Sequence, residues 1–120
     1  MMWTWDQSAG LLSRAGKSWR GYSGGGRGRN NPALQAAIGI GPIPQGRWTI
    51  TDRHDSPDTG PCTLTLVADP GTPTFGRSAF RIHGDNIAHP GTASHGCIIL
   101  PRAVRDAIWR SGDRSLEVVG

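Results

Sequence analysis

The sequence predicts a mainly β fold, a compact sandwich or barrel-like sheet with one or two short helices. Gly and Pro number 18 and 9 among 120 residues while 36% of the chain is apolar. That is too many turn formers for a helical bundle and too much apolar side chain for disorder. The run Cys62-Thr63-Leu64-Thr65-Leu66-Val67-Ala68 alternates with period two, as a half-buried strand does. Only two stretches carry helical spacing. The length is that of one domain, 1–120, with a single modest core.

Taken in order, Trp3-Thr4-Trp5 alternates, residues 6–10 carry turn chemistry, Leu11-Leu12-Ser13 returns, and 17–22 follows Ala15-Gly16. Together these read as a meander of short strands over about 1–23, part of the same domain. Its tryptophans are expected in the core or on a sheet face. Gly24-Gly25-Gly26-Arg27-Gly28-Arg29 is a permissive loop. Asn31 and Pro32 supply a cap and a first-turn proline for a short helix over 33–37. Gly41-Pro42-Ile43-Pro44-Gln45-Gly46 is a rigid turn into a strand over 47–50. Residues 52–60 read as a polar loop and 62–68 as the clearest strand. A Pro/Gly loop over 69–76 precedes a strand over 79–83, a loop over 84–93 and a strand over 97–100. Pro101 opens a helix over 102–110 with Val104, Ala107 and Ile108 as its buried stripe and Gly112 as its stop. Residues 115–119 close the chain as a last strand.

The formal net charge is +4, and Lys17 is the one lysine among 13 basic residues. Arginine suits bidentate recognition of carboxylate or phosphate. The arginines are scattered and no nucleic-acid-binding motif appears, so no nucleic-acid partner is expected. No basic, apolar, small-residue leader opens the chain and no apolar run reaches bilayer length. A protein made in the cytosol without a signal peptide, and not inserted in a membrane, is the expectation. Gly10 with Gly16-Lys17-Ser18 misses the spacing of a phosphate-binding loop and reads as a hairpin turn.

Chemistry concentrates in Ser94-His95-Gly96-Cys97, preceded by His83-Gly84 at the end of the apolar run Phe80-Arg81-Ile82. A thiol is a strong nucleophile only as its thiolate and needs a neighbouring base. His83 supplies one if the strands over 79–83 and 97–100 pair side by side. Gly96 leaves room for substrate to approach the backbone. The amide of Cys97, with that of Gly96 or His95, can aim at a developing oxyanion. His83, His89, His95, Cys97 and Asp85 are also zinc donors, but no two histidines have helical four-residue spacing, so neither a metal nor another cofactor is expected. Cys62 opens an alternating run and is expected to be a buried core residue. A Cys62–Cys97 disulfide is the lesser alternative, because the surroundings of Cys97 suit a reactive thiol.

These residues resemble the signature of the L,D-transpeptidases of the YkuD type, a histidine, a spacer, then Ser/Thr-His-Gly-Cys. His83 matches the first histidine, and Ser94, His95, Gly96 and Cys97 the second block. The spacer of ten residues is a few shorter than usual, and Ile99 stands where the family commonly has arginine, so that arginine's substrate contacts are not carried over. The chain is similar over nearly its whole length to the small L,D-transpeptidase-like effectors of bacterial type VI secretion. The matching pieces are Trp3-Thr4-Trp5-Asp6-Gln7, Tyr22-Ser23-Gly24, Gly28-Arg29-Asn30-Asn31-Pro32, Gly41-Pro42-Ile43-Pro44, Gly76-Arg77-Ser78, His83-Gly84-Asp85 and the Cys97 block running into Leu100-Pro101.

The resemblance implies an L,D-transpeptidase-like fold and an antibacterial cysteine enzyme acting on the L,D bond of peptidoglycan tetrapeptide stems, by hydrolysis or by D-amino acid exchange. Cys97 is then the nucleophile and His83 the general base and later acid, while His95 and Gly96 shape the oxyanion site. Ser94, Gly84, Asp85, Arg77, Arg81 and Arg29 are the candidates for binding substrate. Such an enzyme is secreted into the periplasm of target cells, with type VI delivery components and a cognate immunity protein as partners. The alternatives are a non-catalytic wall-binding or tail-associated adaptor of the same fold and a basic nucleic-acid-binding module.

Overall fold

Nine strands form one sheet in the computed structural model, which describes residues 1–120. They are β1 (Trp3–Asp6), β2 (Leu11–Arg14), β3 (Lys17–Arg20), β4 (Tyr22–Ser23), β5 (Gly46–Ser56), β6 (Gly60–Ala68), β7 (Arg81–His83), β8 (Ile98–Ile99) and β9 (Ser115–Val119). One helix, α1 (Arg102–Arg110), and two 3₁₀ turns, Gly26–Gly28 and Pro32–Leu34, complete the regular structure. The strand order is β3-β2-β1-β9-β5-β6-β7-β8-β4. β3 and β4 thus occupy opposite edges although Gly21 alone separates them in sequence. The sheet can satisfy both demands only by rolling up until its edges meet, which produces a nearly closed barrel; the fold is mainly β, as the composition predicts, and of the expected sandwich or barrel-like sheet it is the latter. Gly21 is the seam. A Cβ there would lie 2.2 Å from the Ile99 carbonyl oxygen, so only glycine lets the two edges approach.

The barrel interior is filled by alternate residues of the strands. Trp3, Trp5, Leu12, Trp48, Ile50, Leu64, Leu66, Ile82, Ile98, Leu116 and Val118 all belong to one buried cluster, as period-two burial requires. Trp3 and Trp5 of the meander are therefore core residues, Trp19 packs half-buried against the cluster, and Trp48 meets Phe80 edge-on at 5.0 Å. Val104 and Ile108 of α1 join the same cluster, and Gly112, in the left-handed region at φ 74°, ends the helix. Cys62 is fully buried beside the core, and both cysteines are free thiols.

The structure corrects three details. Residues 52–56 are strand rather than loop, because β5 continues to Ser56 and pairs Asp52 with Thr65, Arg53 with Leu64 and His54 with Thr63. Register shifts between Ile50 and Asp52 and between His54 and Ser56 break the alternation, and this end of the hairpin faces solvent, so its polar composition imitates a loop. The helix over 33–37 shrinks to the Pro32–Leu34 turn. Asn31 does cap it, accepting the Ala33 N–H at 3.1 Å, but the Gln35 carbonyl accepts from Arg77 instead of continuing a helical ladder. The strands predicted over 79–83 and 97–100 are shorter, 81–83 and 98–99.

Candidate active site

β7 and β8 lie side by side and parallel, with Ile82 opposite Ile98 and His83 opposite Ile99. Ile82 and Ile98 are driven into the core, and this fixes the register. Alternation then carries His83 and, just before β8, Cys97 to the other face of the pair. Both line one groove of about 1340 Å³, together with Arg77, Arg81, Gly84, Asp85, His95 and Gly96. Ser94 sits buried behind this wall. Arg29 lies outside the groove, stacked 4.3 Å over the Tyr22 ring. No three His, Cys, Asp or Glu side chains gather closely enough to hold a metal ion.

His83 Nδ1 lies 2.8 Å from the carbonyl oxygen of Gly84. A carbonyl only accepts, so Nδ1 carries the proton and Nε2 keeps its lone pair. Burial pushes the imidazole below its ordinary pKa, opposed by the bond to Gly84 and reinforced by the charges of Arg105 and Arg81. The imidazole is thus neutral at neutral pH. Burial pushes the Cys97 thiol up, against the pull of the Arg81 backbone N–H and of the Arg81 and Arg77 charges. Burial thus keeps the thiol protonated at neutral pH, and Sγ lies 3.6 Å from the Ala79 carbonyl oxygen. The groove thus holds a neutral thiol and a neutral imidazole.

The Ser94-His95-Gly96-Cys97 loop is held from behind. Ser94 Oγ donates to the Cys97 carbonyl at 2.6 Å and accepts the Gly24 N–H at 2.8 Å and the Gly96 N–H at 3.1 Å. Ser23 Oγ donates to the Gly96 carbonyl at 3.0 Å and accepts the Ile43 N–H. Arg77 is 8% exposed and spends its guanidinium on the carbonyls of Gln35, Pro42, Gly41 and His95. Gly96 takes φ 143°, and a Cβ there would lie 2.6 Å from Arg77 Nη2 and 3.0 Å from Phe80. The Gly96 amide, an oxyanion candidate from sequence, is therefore turned to Ser94. The amides of Cys97 and His95 donate to no group of the chain.

Asp85 staples the loop between the two catalytic candidates. It accepts from the Tyr22 hydroxyl at 2.5 Å, the Asn86 N–H at 2.8 Å and the Gly91 N–H at 3.0 Å. These bonds outweigh burial and hold its carboxyl below the ordinary range, while burial and the Asp85 carboxylate push Tyr22 up to about 12. Tyr22, Ser23 and Arg105 were not singled out from sequence as site residues. A lone arginine on the apolar stripe of a helix, Arg105 between Val104 and Ile108, is the signal that was there to read.

The Tlde1 domain family matches residues 17–119, a span that takes in the loop, the groove and both candidate catalytic residues. The chain belongs to the Tlde1 domain family. This is the family of type VI secretion L,D-transpeptidase effectors. Among solved structures, this Tlde1 chain is similar in fold to L,D-transpeptidase 1 of Mycobacterium tuberculosis, with a TM-score of 0.57 and 18% identity over 99% of the chain. An L,D-transpeptidase from Mycobacterium smegmatis gives a TM-score of 0.51 and 16% identity over 99%. The chain spans 61% and 58% of those two proteins, respectively. No curated protein matches it.

Proposed function

We propose that the chain is a cysteine L,D-carboxypeptidase or D-amino acid exchanging enzyme of peptidoglycan. The observation that carries this reading is the pairing of β7 with β8, which opens His83 and Cys97 into one groove with the imidazole tautomer set by Gly84. The Cys97 thiol attacks the carbonyl on the L-centre side of the L,D bond, and its proton passes to His83 Nε2. The Cys97 amide, assisted by that of His95, donates to the oxyanion. Collapse breaks the C–N bond, His83 returns the proton to the departing D-amino acid, and a thioester remains. Water deprotonated by His83 releases the stem as an acid, whereas a D-amino acid amine gives exchange.

Membership of the Tlde1 family supports delivery by type VI secretion, action in the periplasm of target cells and a matching immunity protein. The reaction is tested by mass spectrometry of purified peptidoglycan fragments after incubation with the protein. Loss of terminal D-alanine from tetrapeptide stems, or its exchange for an added D-amino acid, is expected, and stems left intact contradict the reading. Delivery to the periplasm is tested by expression with and without a fused signal peptide. Lysis is expected from the periplasmic form alone and must disappear with Cys97→Ala.

A further inference from the structure

Asp85 and Arg105 line a second depression as well as the catalytic groove. It has a volume of about 370 Å³ and opens at the start of α1, with Ile99 and Leu100 in its wall. Arginines from three separate segments converge on it, namely Arg20 at the end of β3, Arg29 in the loop after β4, and Arg102 with Arg105 on α1. Asp85 is its one carboxylate, and that group is already occupied by Tyr22 and by backbone amides. Arg102 is paired with Asp106 at 3.3 Å, whereas Arg20, Arg29 and Arg105 pair with no carboxylate of the chain.

Arg105 is the informative member. It is 5% exposed and donates to the carbonyls of Cys62, Leu100 and Pro61. A guanidinium has five N–H donors, so one remains on each terminal nitrogen, and its three partners are neutral carbonyls, the Asp106 carboxylate acting on its charge without pairing with it. A buried cation without a direct ion-pair partner is costly, and an anion entering the depression relieves that cost. Because Asp85 and Arg105 are walls of both cavities, a ligand bound here can be part of the same molecule that reaches Cys97. The planar guanidinium fork fits a carboxylate, and stem peptides carry free carboxylates.

We propose that this depression is a carboxylate subsite, formed by Arg20, Arg29 and Arg105, that holds a free carboxylate of the stem peptide while its scissile bond lies at Cys97. The proposal rests on the stem-peptide reading above. It is tested by calorimetric titration of Cys97→Ala protein, which cannot turn over its ligand, with two synthetic tetrapeptide stems. One has free carboxylates, and the other has every carboxylate amidated except that of the terminal D-residue. Amidation is expected to weaken binding about tenfold, as loss of a charge-assisted contact does. The double substitution Arg20→Gln, Arg29→Gln should weaken the free stem equally and the amidated stem no further. Both arginines are exposed, so the melting temperature should hold. Equal weakening of both peptides by the double substitution, no weakening, or no binding of either peptide overturns the subsite. Wild-type protein that binds the free stem through Arg20 and Arg29 yet releases or exchanges no D-alanine leaves the subsite standing and overturns the proposed reaction.

Discussion

The Ser94 hydroxyl donates to the Cys97 carbonyl at 2.6 Å and at the same time accepts the amides of Gly24 and Gly96. Ser94→Ala leaves two buried amides and the part-buried Cys97 carbonyl without their side-chain partner, and each orphaned buried group costs about 1–3 kcal/mol before relaxation. Stability in denaturant should fall by about 2 kcal/mol. The thiol's position is disturbed more than stem affinity, so kcat should fall at least about tenfold with KM nearly unchanged. A raised KM at constant kcat would make Ser94 a substrate contact instead.

Gly96→Ala should be more damaging than its size implies. The residue sits at φ 143°, and its new methyl would meet the Arg77 guanidinium at 2.6 Å, displacing the group that holds the Gly41 and His95 carbonyls. Turnover should drop by about two orders of magnitude, with a lowered melting temperature and a retained circular dichroism spectrum. Wild-type turnover in Gly96→Ala would show that the loop tolerates movement behind the thiol.

The pH dependence follows from two opposite shifts. Burial holds the His83 imidazole below its ordinary value and the Cys97 thiol above its own. The acid limb of kcat/KM should therefore lie below about pH 6.5, and the alkylation rate of the free enzyme should still be rising with pH at about pH 8.5. The histidine shift also bears on stability. Between the folded and unfolded pKa values the unfolded chain binds more protons, so stability is full above about pH 6.5 and is lost as pH falls through the folded value. His83→Gln should remove that dependence, which thermal melts recorded at and below about pH 6.5 would reveal.

Cys62 provides the control for the thiol. It is fully buried, its Sγ faces Asp106 at 3.3 Å, and its backbone takes φ 55°. Cys62→Ala should keep turnover and lower stability by about 1 kcal/mol or more. Loss of turnover without loss of stability would contradict a structural role.

The pairing of His83 with the Cys97 strand was legible because Ile82 and Ile98 declare which face is core, and glycine marks both catalytic candidates. The helix over 102–110 was legible for the same reason, through Val104, Ile108 and its glycine stop. The hairpin end at 52–56 was not, because its register shifts and solvent exposure erase the alternation that identifies a strand. The roles of Arg77, Ser94 and Asp85 were hidden as well. Sequence places polar side chains near the thiol but does not reveal whether they face the groove or, as Arg77 and Ser94 do, brace its wall against segments as distant as Gly24, Gln35 and Gly41.

The central claim is a covalent thioester at Cys97, and intact-protein mass spectrometry after rapid acid quench with a tetrapeptide stem tests it most directly. The wild type should gain the mass of the stem less its terminal D-alanine, with peptide mapping placing the adduct on Cys97. The adduct should be absent from Cys97→Ala and slowed at least about a hundredfold in His83→Ala. An adduct on Cys62, an adduct that survives Cys97→Ala, or release of D-alanine by the Cys97→Ala protein would contradict the account.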